Sequence, residues 1–182
     1  MPGAWELLFK IMAAPVEGWK ELRRCGIHVD KIGFSLFLPL TLAAAFSDFF
    51  TFYYDTNISF IEVLINAVIT FISFFIGYFM AGFFSKILLP RGMKGLPFSN
   101  YGKALTMISM STLAIFHILD EALPIFEPIF YFLPLWTIYI IVKGMKFVKI
   151  IENRSSYTLG VMCVTIVGSP IFVEWFFSLF SF

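Results

Sequence analysis

The apolar residues of this chain fall into five long runs that short polar breaks separate. A helix needs about 20 mostly apolar residues to cross a hydrocarbon core of about 30 Å, and each run approaches or exceeds that length. The predicted spans are residues 32–54, 58–84, 104–123, 125–142 and 158–182. The pattern therefore predicts an all-α integral membrane protein whose membrane domain covers residues 32–182.

Polar and helix-breaking residues interrupt some of these runs. Glu174 lies close to the end of the last one, so this span either crosses the membrane or ends near Val173. In the second case residues 174–182 lie along the outer surface. Prolines inside the spans are also able to kink them. These prolines are Pro39, Pro134 and Pro170.

The first 31 residues have a different pattern, because their apolar positions recur at the spacing of one helical face. These positions are Trp5, Leu8, Phe9 and Met12. Pro15 suits the first turn of a second short helix, which contains Trp19. We expect Trp5, Phe9 and Trp19 to anchor residues 1–31 in the cytoplasmic membrane interface. A partner-binding arm is the alternative.

The charged residues give the membrane domain a direction. The 13 Lys and Arg residues form three clusters at alternate breaks of the apolar pattern. The clusters are Lys10/Lys20/Arg23/Arg24/Lys31, Lys86/Arg91/Lys94/Lys103 and Lys143/Lys146/Lys149/Arg154. Because basic loops stay in the cytoplasm, this pattern predicts a cytoplasmic N-terminus and an external C-terminus.

Composition and charge limit the partners of the protein. With 59% hydrophobic and 20% aromatic residues, the chain is too apolar for a water-soluble globule. Its basic clusters lie at the membrane, where they suit the lipid bilayer and its anionic headgroups on the cytoplasmic face. No nucleic-acid partner is expected, since the bases are not on a free domain.

Acidic residues and one histidine gather in the outer half of the predicted membrane domain. His117, Asp120 and Glu121 have the spacing of one helical face, and the other acids of the same depth range lie on other spans, at Asp48, Glu62, Glu127 and Glu174. Carboxylates inside a membrane are costly and mark candidate functional sites. Together with a histidine they can ligate a divalent cation or relay protons. The alternative is that they lie at the wet outer interface, with His117 bonded to a neighbouring hydroxyl.

Small and polar residues form a stripe along the second span. The stripe consists of Glu62, Asn66, Thr70, Ser73, Gly77, Ala81 and Ser85. It is either a hydrophilic path or a packing seam, since small residues let helices approach closely. A facing surface is expected at Gly160, Val164 and Gly168. A transport path predicts that Glu62, Asn66 and Glu174 converge on one cavity.

Four short motifs follow one another along the chain. They are Pro15-Val-Glu-Gly-Trp19, the LFLPLTLAAAF of the first span, Asn100-Tyr101-Gly102-Lys103-Ala104-Leu105, and Leu135-Trp136-Thr-Ile-Tyr139 leading into Lys143-Gly144. In this order they resemble the Yip (Ypt-interacting protein) domain family, in particular its short bacterial members. The resemblance implies a five-helix integral membrane domain without catalytic residues. Eukaryotic members associate with Rab-type GTPases, often through an extended N-terminal region, whereas 31 residues precede the first span here.

The sequence contains no Gly-rich phosphate loop, HExxH or CxxC motif, so we expect no enzyme, no catalytic residues and no cofactor. The leading hypothesis is a non-enzymatic multi-pass protein of the Yip type in the bacterial cytoplasmic (inner) membrane. It would organise the membrane or partner proteins, and a protein partner or a homo-oligomer is left open. The alternative is a small transporter, channel or lipid-moving protein that uses the outer carboxylates and the polar stripe.

Overall fold

The computed structural model of the protein is about 90% helical, and the part of the chain that it describes contains no strand. An α-helix satisfies its own backbone hydrogen bonds, which is the requirement for a segment surrounded by lipid. The structure describes residues 3–26, 28–54, 57–89, 91, 94–126, 128, 132–146 and 155–179.

The main helices are numbered in chain order. They are α1 (Ala4–Ala13), α2 (Pro15–Cys25), α3 (Val29–Tyr54), α4 (Phe60–Leu88), α5 (Asn100–Ala122), α6 (Leu133–Met145) and α7 (Ser155–Ser178). Helix α3 changes its winding twice, with a π-helical turn at Gly33–Phe37 and a 3₁₀ turn at Asp48–Phe50. Further 3₁₀ turns lie at Leu96–Phe98 and Pro124–Phe126.

Four of these helices, α3, α4, α5 and α7, are long and apolar enough to cross a bilayer. This agrees with the predicted all-α membrane protein. Glu174 lies inside α7, so the helix continues past Val173 instead of ending there. The end of the predicted last span, residues 180–182, lies outside the described residues.

The predicted span 125–142 has a different form. Pro124–Phe126 make a 3₁₀ turn and α6 begins only at Leu133, with Pro134 in its first turn. Residues 127 and 129–131 of the prediction lie outside the described residues. The 13 residues of α6 extend over about 20 Å, less than the thickness of a hydrocarbon core. The described residues therefore do not form one helix that is continuous from residue 125, and proline, which lacks the N–H that a helix interior needs, stands in the first turn of α6.

Contacts between helix ends show that the bundle has two chemically different ends. The Tyr157 hydroxyl of α7 donates to the Leu88 carbonyl of α4 (3.1 Å), and the Tyr101 hydroxyl of α5 donates to the Gly144 carbonyl of α6 (2.9 Å). Lys86, Lys103 and Lys143 lie on three of these four helix ends, and we call this side of the bundle the basic end. 

At the opposite end, the Tyr54 hydroxyl of α3 donates to the Ala122 carbonyl of α5 (2.8 Å). The last turns of α3, α5 and α7 and the first turn of α4 carry carboxylates, and we call this the acidic end. The carboxylates are Asp48, Glu62, Asp120, Glu121 and Glu174.

Helices α1 and α2 pack against each other and lie at the basic end. Trp5 and Phe9 are 42% and 57% exposed, as an interfacial helix requires. Trp19 is 0% exposed, and its indole Nε1 donates to the Ile140 carbonyl of α6 (3.1 Å). The assignment of Trp19 to the membrane interface therefore needs correction: its ring lies inside the protein, in the space that Gly144 leaves by having no side chain.

The polar stripe of α4 packs against α7 over its basic half. Ser85 Oγ lies 2.7 Å from Thr165 Oγ1, and the Ser169 hydroxyl donates to the Gly77 carbonyl (2.8 Å). A Cβ atom at Gly77 would lie 3.0 Å from the backbone nitrogen of Pro170. This half of the stripe is a packing seam, as one of the two interpretations predicted.

The surface of α7 that faces the seam differs from the predicted one. Val164 is 71% exposed, and a Cβ atom at Gly160 or Gly168 would meet no heavy atom within 4 Å. These three residues point away from α4. The facing residues lie one position later in the helical turn, at Thr165 and Ser169.

Candidate functional site

The centre of the acidic end is a pair formed by Asp48 and His117. Asp48 begins the 3₁₀ turn near the end of α3 and is 5% exposed. His117 Nε2 lies 2.9 Å from Asp48 Oδ1, so an imidazole N–H donates to the carboxylate. The predicted alternative partner of His117, a hydroxyl, is replaced by a charged group on another helix.

The second oxygen of Asp48 has a different environment. Asp48 Oδ2 is buried and has no hydrogen-bond partner among the described residues. An unsatisfied buried acceptor costs about 1–3 kcal/mol, and more when it is charged. This atom therefore has unused capacity to bind a proton or a cation.

Glu121 joins the pair from the same helix as His117. The two residues are four positions apart on α5, so they lie on one face of the helix. One donor atom each from Asp48, His117 and Glu121 can be chosen so that all three lie within 4.8 Å of one another. Two helices thus bring an imidazole and two carboxylates to one point.

These side chains border a cavity with two compartments of about 400 and 210 Å³. Both compartments are lined by Thr70 of α4, His117 and Glu121 of α5, and Glu174 of α7. We call this space the acidic cavity. Asp48 lines its smaller compartment.

Helix-breaking residues shape the larger compartment. Pro134, in the first turn of α6, and Pro170, inside α7, both line it. Thr70 and Ser73 of the α4 stripe line it as well, whereas Gly77 one turn later is in contact with Pro170. The stripe therefore forms the wall of the cavity in one half and the packing seam in the other.

The residues predicted for the site fall into two groups. Asn66 lines the smaller compartment together with Glu174, and Asp120 lines the larger one. Glu62 lies instead at the start of α4, where its carboxylate accepts from the Ser59 backbone N–H (2.8 Å) and its own N–H donates to the Ser59 hydroxyl (3.2 Å). This reciprocal cap fixes the beginning of the helix. Of the three residues expected to converge, Asn66 and Glu174 share a cavity, and Glu62 caps a helix.

Sequence reasoning grouped Asp48 with His117 but did not predict that the two residues pair. The pairing depends on how α3 packs against α5, and the spacing of residues along the sequence does not encode that. The available signal was that a histidine in an apolar span needs a polar partner, and Asp48 was one of the acids predicted for the same depth range.

The arrangement suits cations. Asp48, Glu121 and Glu174 contribute carboxylates with a high local density of negative charge, while every Lys and Arg belongs to the breaks of the basic side in the sequence. Imidazole and carboxylate groups can hold protons or coordinate metal ions. No protein-family model, curated protein or solved structure matches this chain.

Proposed function

We propose that this is a small multi-pass membrane protein of the transporter class that takes up a proton or a cation in the acidic cavity. The observation that carries the proposal is the Asp48–His117 pair at a cavity that Glu121 and Glu174 also line. Ionisable groups inside a membrane protein are expensive and typically belong to ion or proton pathways.

The charge distribution supports an orientation for the transporter. Basic segments are retained in the cytoplasm, which places the basic end inside and the acidic cavity on the outer side of the membrane. The N-terminus is then cytoplasmic and the C-terminus external, with α6 as a shorter fifth membrane element. A bacterial cytoplasmic membrane is the proposed location.

Packing below the cavity favours a transporter over an open channel. The hydrogen bonds Ser85–Thr165 and Ser169–Gly77 join α4 and α7 between the cavity and the basic end. An ion that follows the interface between α4 and α7 therefore reaches the basic end only when these two helices separate. A carrier that opens to one side at a time has this property.

Flux through proteoliposomes tests the proposal. The purified protein is reconstituted, a potassium diffusion potential is imposed, and proton uptake and metal uptake are followed with fluorescent dyes. We expect Glu174→Gln to reduce the flux towards the level of protein-free vesicles. The matched control is Glu62→Gln, which keeps an acceptor for the helix cap and should preserve the flux. Equal flux in protein-free vesicles, the parent and Glu174→Gln would count against a transporter.

A second candidate function is the organisation of membrane or partner proteins, as the Yip resemblance implies. The exposed rings of Trp5 and Phe9 favour it, because they lie 6.4 Å apart on a helix that also carries Lys10. Aromatic and basic residues on one short helix are typical of a membrane-surface anchor.

This second function has its own test, which does not depend on the cavity. The intact protein is extracted in detergent and examined for a reproducible partner or for self-association. We expect the double variant Trp5→Ala/Phe9→Ala to abolish either interaction while the vesicle flux stays unchanged. Recovery of neither a partner nor a second copy of the chain from the parent would contradict the organising role.

A further inference from the structure

We propose that the acidic cavity binds a first-row divalent transition-metal ion through Asp48, His117 and Glu121. The inference rests on the proposed function, because it names the cation that the cavity takes up. It is carried by the donor set, the geometry of three side chains and the unsatisfied oxygen of Asp48.

The donor set selects the class of metal. One imidazole nitrogen and two carboxylate oxygens are available within a small volume. Ca²⁺ and Mg²⁺ prefer sites made of oxygen ligands alone, and Cu⁺ prefers sulfur. A mixed set of one histidine and carboxylates suits Mn²⁺, Fe²⁺, Co²⁺ or Zn²⁺.

The distances are close to those of a metal site. His117 Nε2 and Asp48 Oδ1 are 2.9 Å apart, and the three donor atoms lie within 4.8 Å of one another. Ligands of a tetrahedral ion with bonds of about 2.1 Å are about 3.4 Å apart. Binding would therefore require His117 and Asp48 to separate slightly and the Glu121 side chain, which is only half-buried, to move towards them.

The unsatisfied oxygen of Asp48 is an independent indication of a ligand. The residue is buried and lines the smaller compartment, yet Oδ2 has no hydrogen-bond partner among the described residues. A metal ion bound by the carboxylate would satisfy it. The same ion would take the place of the proton between His117 Nε2 and Asp48, and in a neutral imidazole that proton moves to Nδ1.

The openness of the site indicates an exchangeable ion. When they are ionised, the carboxylates of Asp48, Glu121 and Glu174 would balance the charge of a divalent cation. Three protein ligands leave a coordination position unfilled, and all three line the compartment of about 210 Å³. Structural sites are closed by four protein ligands, whereas an open position allows entry and exit.

Equilibrium metal binding in detergent tests the inference without any transport step. Co²⁺ is titrated into the purified protein and its visible absorption is recorded, followed by competition with Zn²⁺, Mg²⁺ and Ca²⁺. We expect a single Co²⁺ per chain that Zn²⁺ displaces and that excess Mg²⁺ or Ca²⁺ does not. Asp48→Asn and His117→Ala should weaken binding at least about tenfold, while Glu62→Gln leaves it unchanged.

Glu121→Gln keeps the test decisive if either buried substitution prevents folding. This side chain lies at the edge of the cavity, and a bound ion stabilises the folded state. Zn²⁺ should raise the unfolding temperature of the parent and of Glu62→Gln but much less that of Glu121→Gln. Absent Co²⁺ binding, or equal affinity in parent and ligand variants, would overturn the inference. If the protein binds no metal but carries a proton flux that Glu174→Gln abolishes, the proposed function still stands. If it binds metal but carries no flux, the metal site stands and the proposed transport is contradicted.

Discussion

The indole Nε1 of Trp19 donates a hydrogen bond to the main-chain carbonyl of Ile140, 3.1 Å away. This bond joins the N-terminal helix pair to α6, and the Trp19 ring is fully buried beside Gly144. Helices α1 and α2 are therefore part of the folded bundle at its basic end.

Trp19→Phe removes the buried donor and part of the ring. We expect the free energy of unfolding to fall by about 1–3 kcal/mol, from the lost hydrogen bond and the space left behind. Thermal or denaturant unfolding in detergent measures the change. Trp5→Phe is the matched control on an exposed ring and should have little effect; equal losses in the two variants would contradict the packing of Trp19.

Two glycines provide an opposed pair of substitutions. A Cβ atom at Gly77 would lie 3.0 Å from the backbone nitrogen of Pro170 and 3.1 Å from its Cα atom. A Cβ atom at Gly168 would have no heavy atom within 4 Å. Gly77→Ala should destabilise the protein by about 1–3 kcal/mol through overpacking. Gly168→Ala should be neutral or stabilise it by up to about 1 kcal/mol, because alanine favours a helix. Equal losses in the free energy of unfolding for the two variants would contradict the close packing of α4 against α7 at Gly77.

Labelling of introduced thiols tests the orientation of the two ends. In a background with Cys25→Ser and Cys163→Ala, Asn57→Cys places a thiol at the acidic end and Lys94→Cys places one at the basic end. We expect a membrane-impermeant maleimide to modify the first thiol in intact cells and the second only after lysis. The reverse pattern would put the cavity on the cytoplasmic side.

The ion pair between Lys10 and Glu21 predicts that part of the stability of the protein depends on pH. The hydrogen bond from Lys10 to Glu21 raises the pKa of Lys10 above its ordinary value of 10.5. A raised pKa means that the stabilisation is present at lower pH and is lost as the pH rises through that pKa. The difference in unfolding temperature between the parent and Lys10→Met should be small at pH values near neutral and vanish in strong alkali.

The double variant Lys10→Met/Glu21→Gln provides the control for the pair. It should lose little more stability than either single variant, because both remove the same interaction. Additive losses would show that the two residues act separately.

The long helices of the fold could be predicted because the thickness of a bilayer sets a length that the apolar runs display directly. The start of α6 at Leu133 could not, since the sequence before it is nearly as apolar as a span. The position of Trp19 also depended on tertiary structure. A short helix with aromatic and basic residues has the same pattern whether it faces lipid or packs beneath a bundle.

Part of the site could be predicted because two of its residues are close together in the sequence. His117 and Glu121 are on one helix, so their spacing alone places them on one face. Asp48 and Glu174 reach the cavity through the packing of α3 and α7, which no local pattern encodes. The spacing on α4 predicted the residues of the wall and of the seam, although Glu62 caps the helix instead, and the change from a cavity wall at Thr70 to a seam at Gly77 depends on where α7 makes contact.

The contact between Gly77 and Pro170 has a mechanical consequence for the bundle. A Cβ atom at Gly77 would lie 3.0 Å from the backbone nitrogen of Pro170, so α4 and α7 are in close contact beside the cavity and this contact can act as a fulcrum for a tilt between them. Asn66 is eleven residues away along α4, or about 16 Å, and a tilt of about 10° would move it by about 3 Å. Such a movement is comparable to the diameter of a water molecule, so small rocking at the glycine changes access to the carboxylates at the far end.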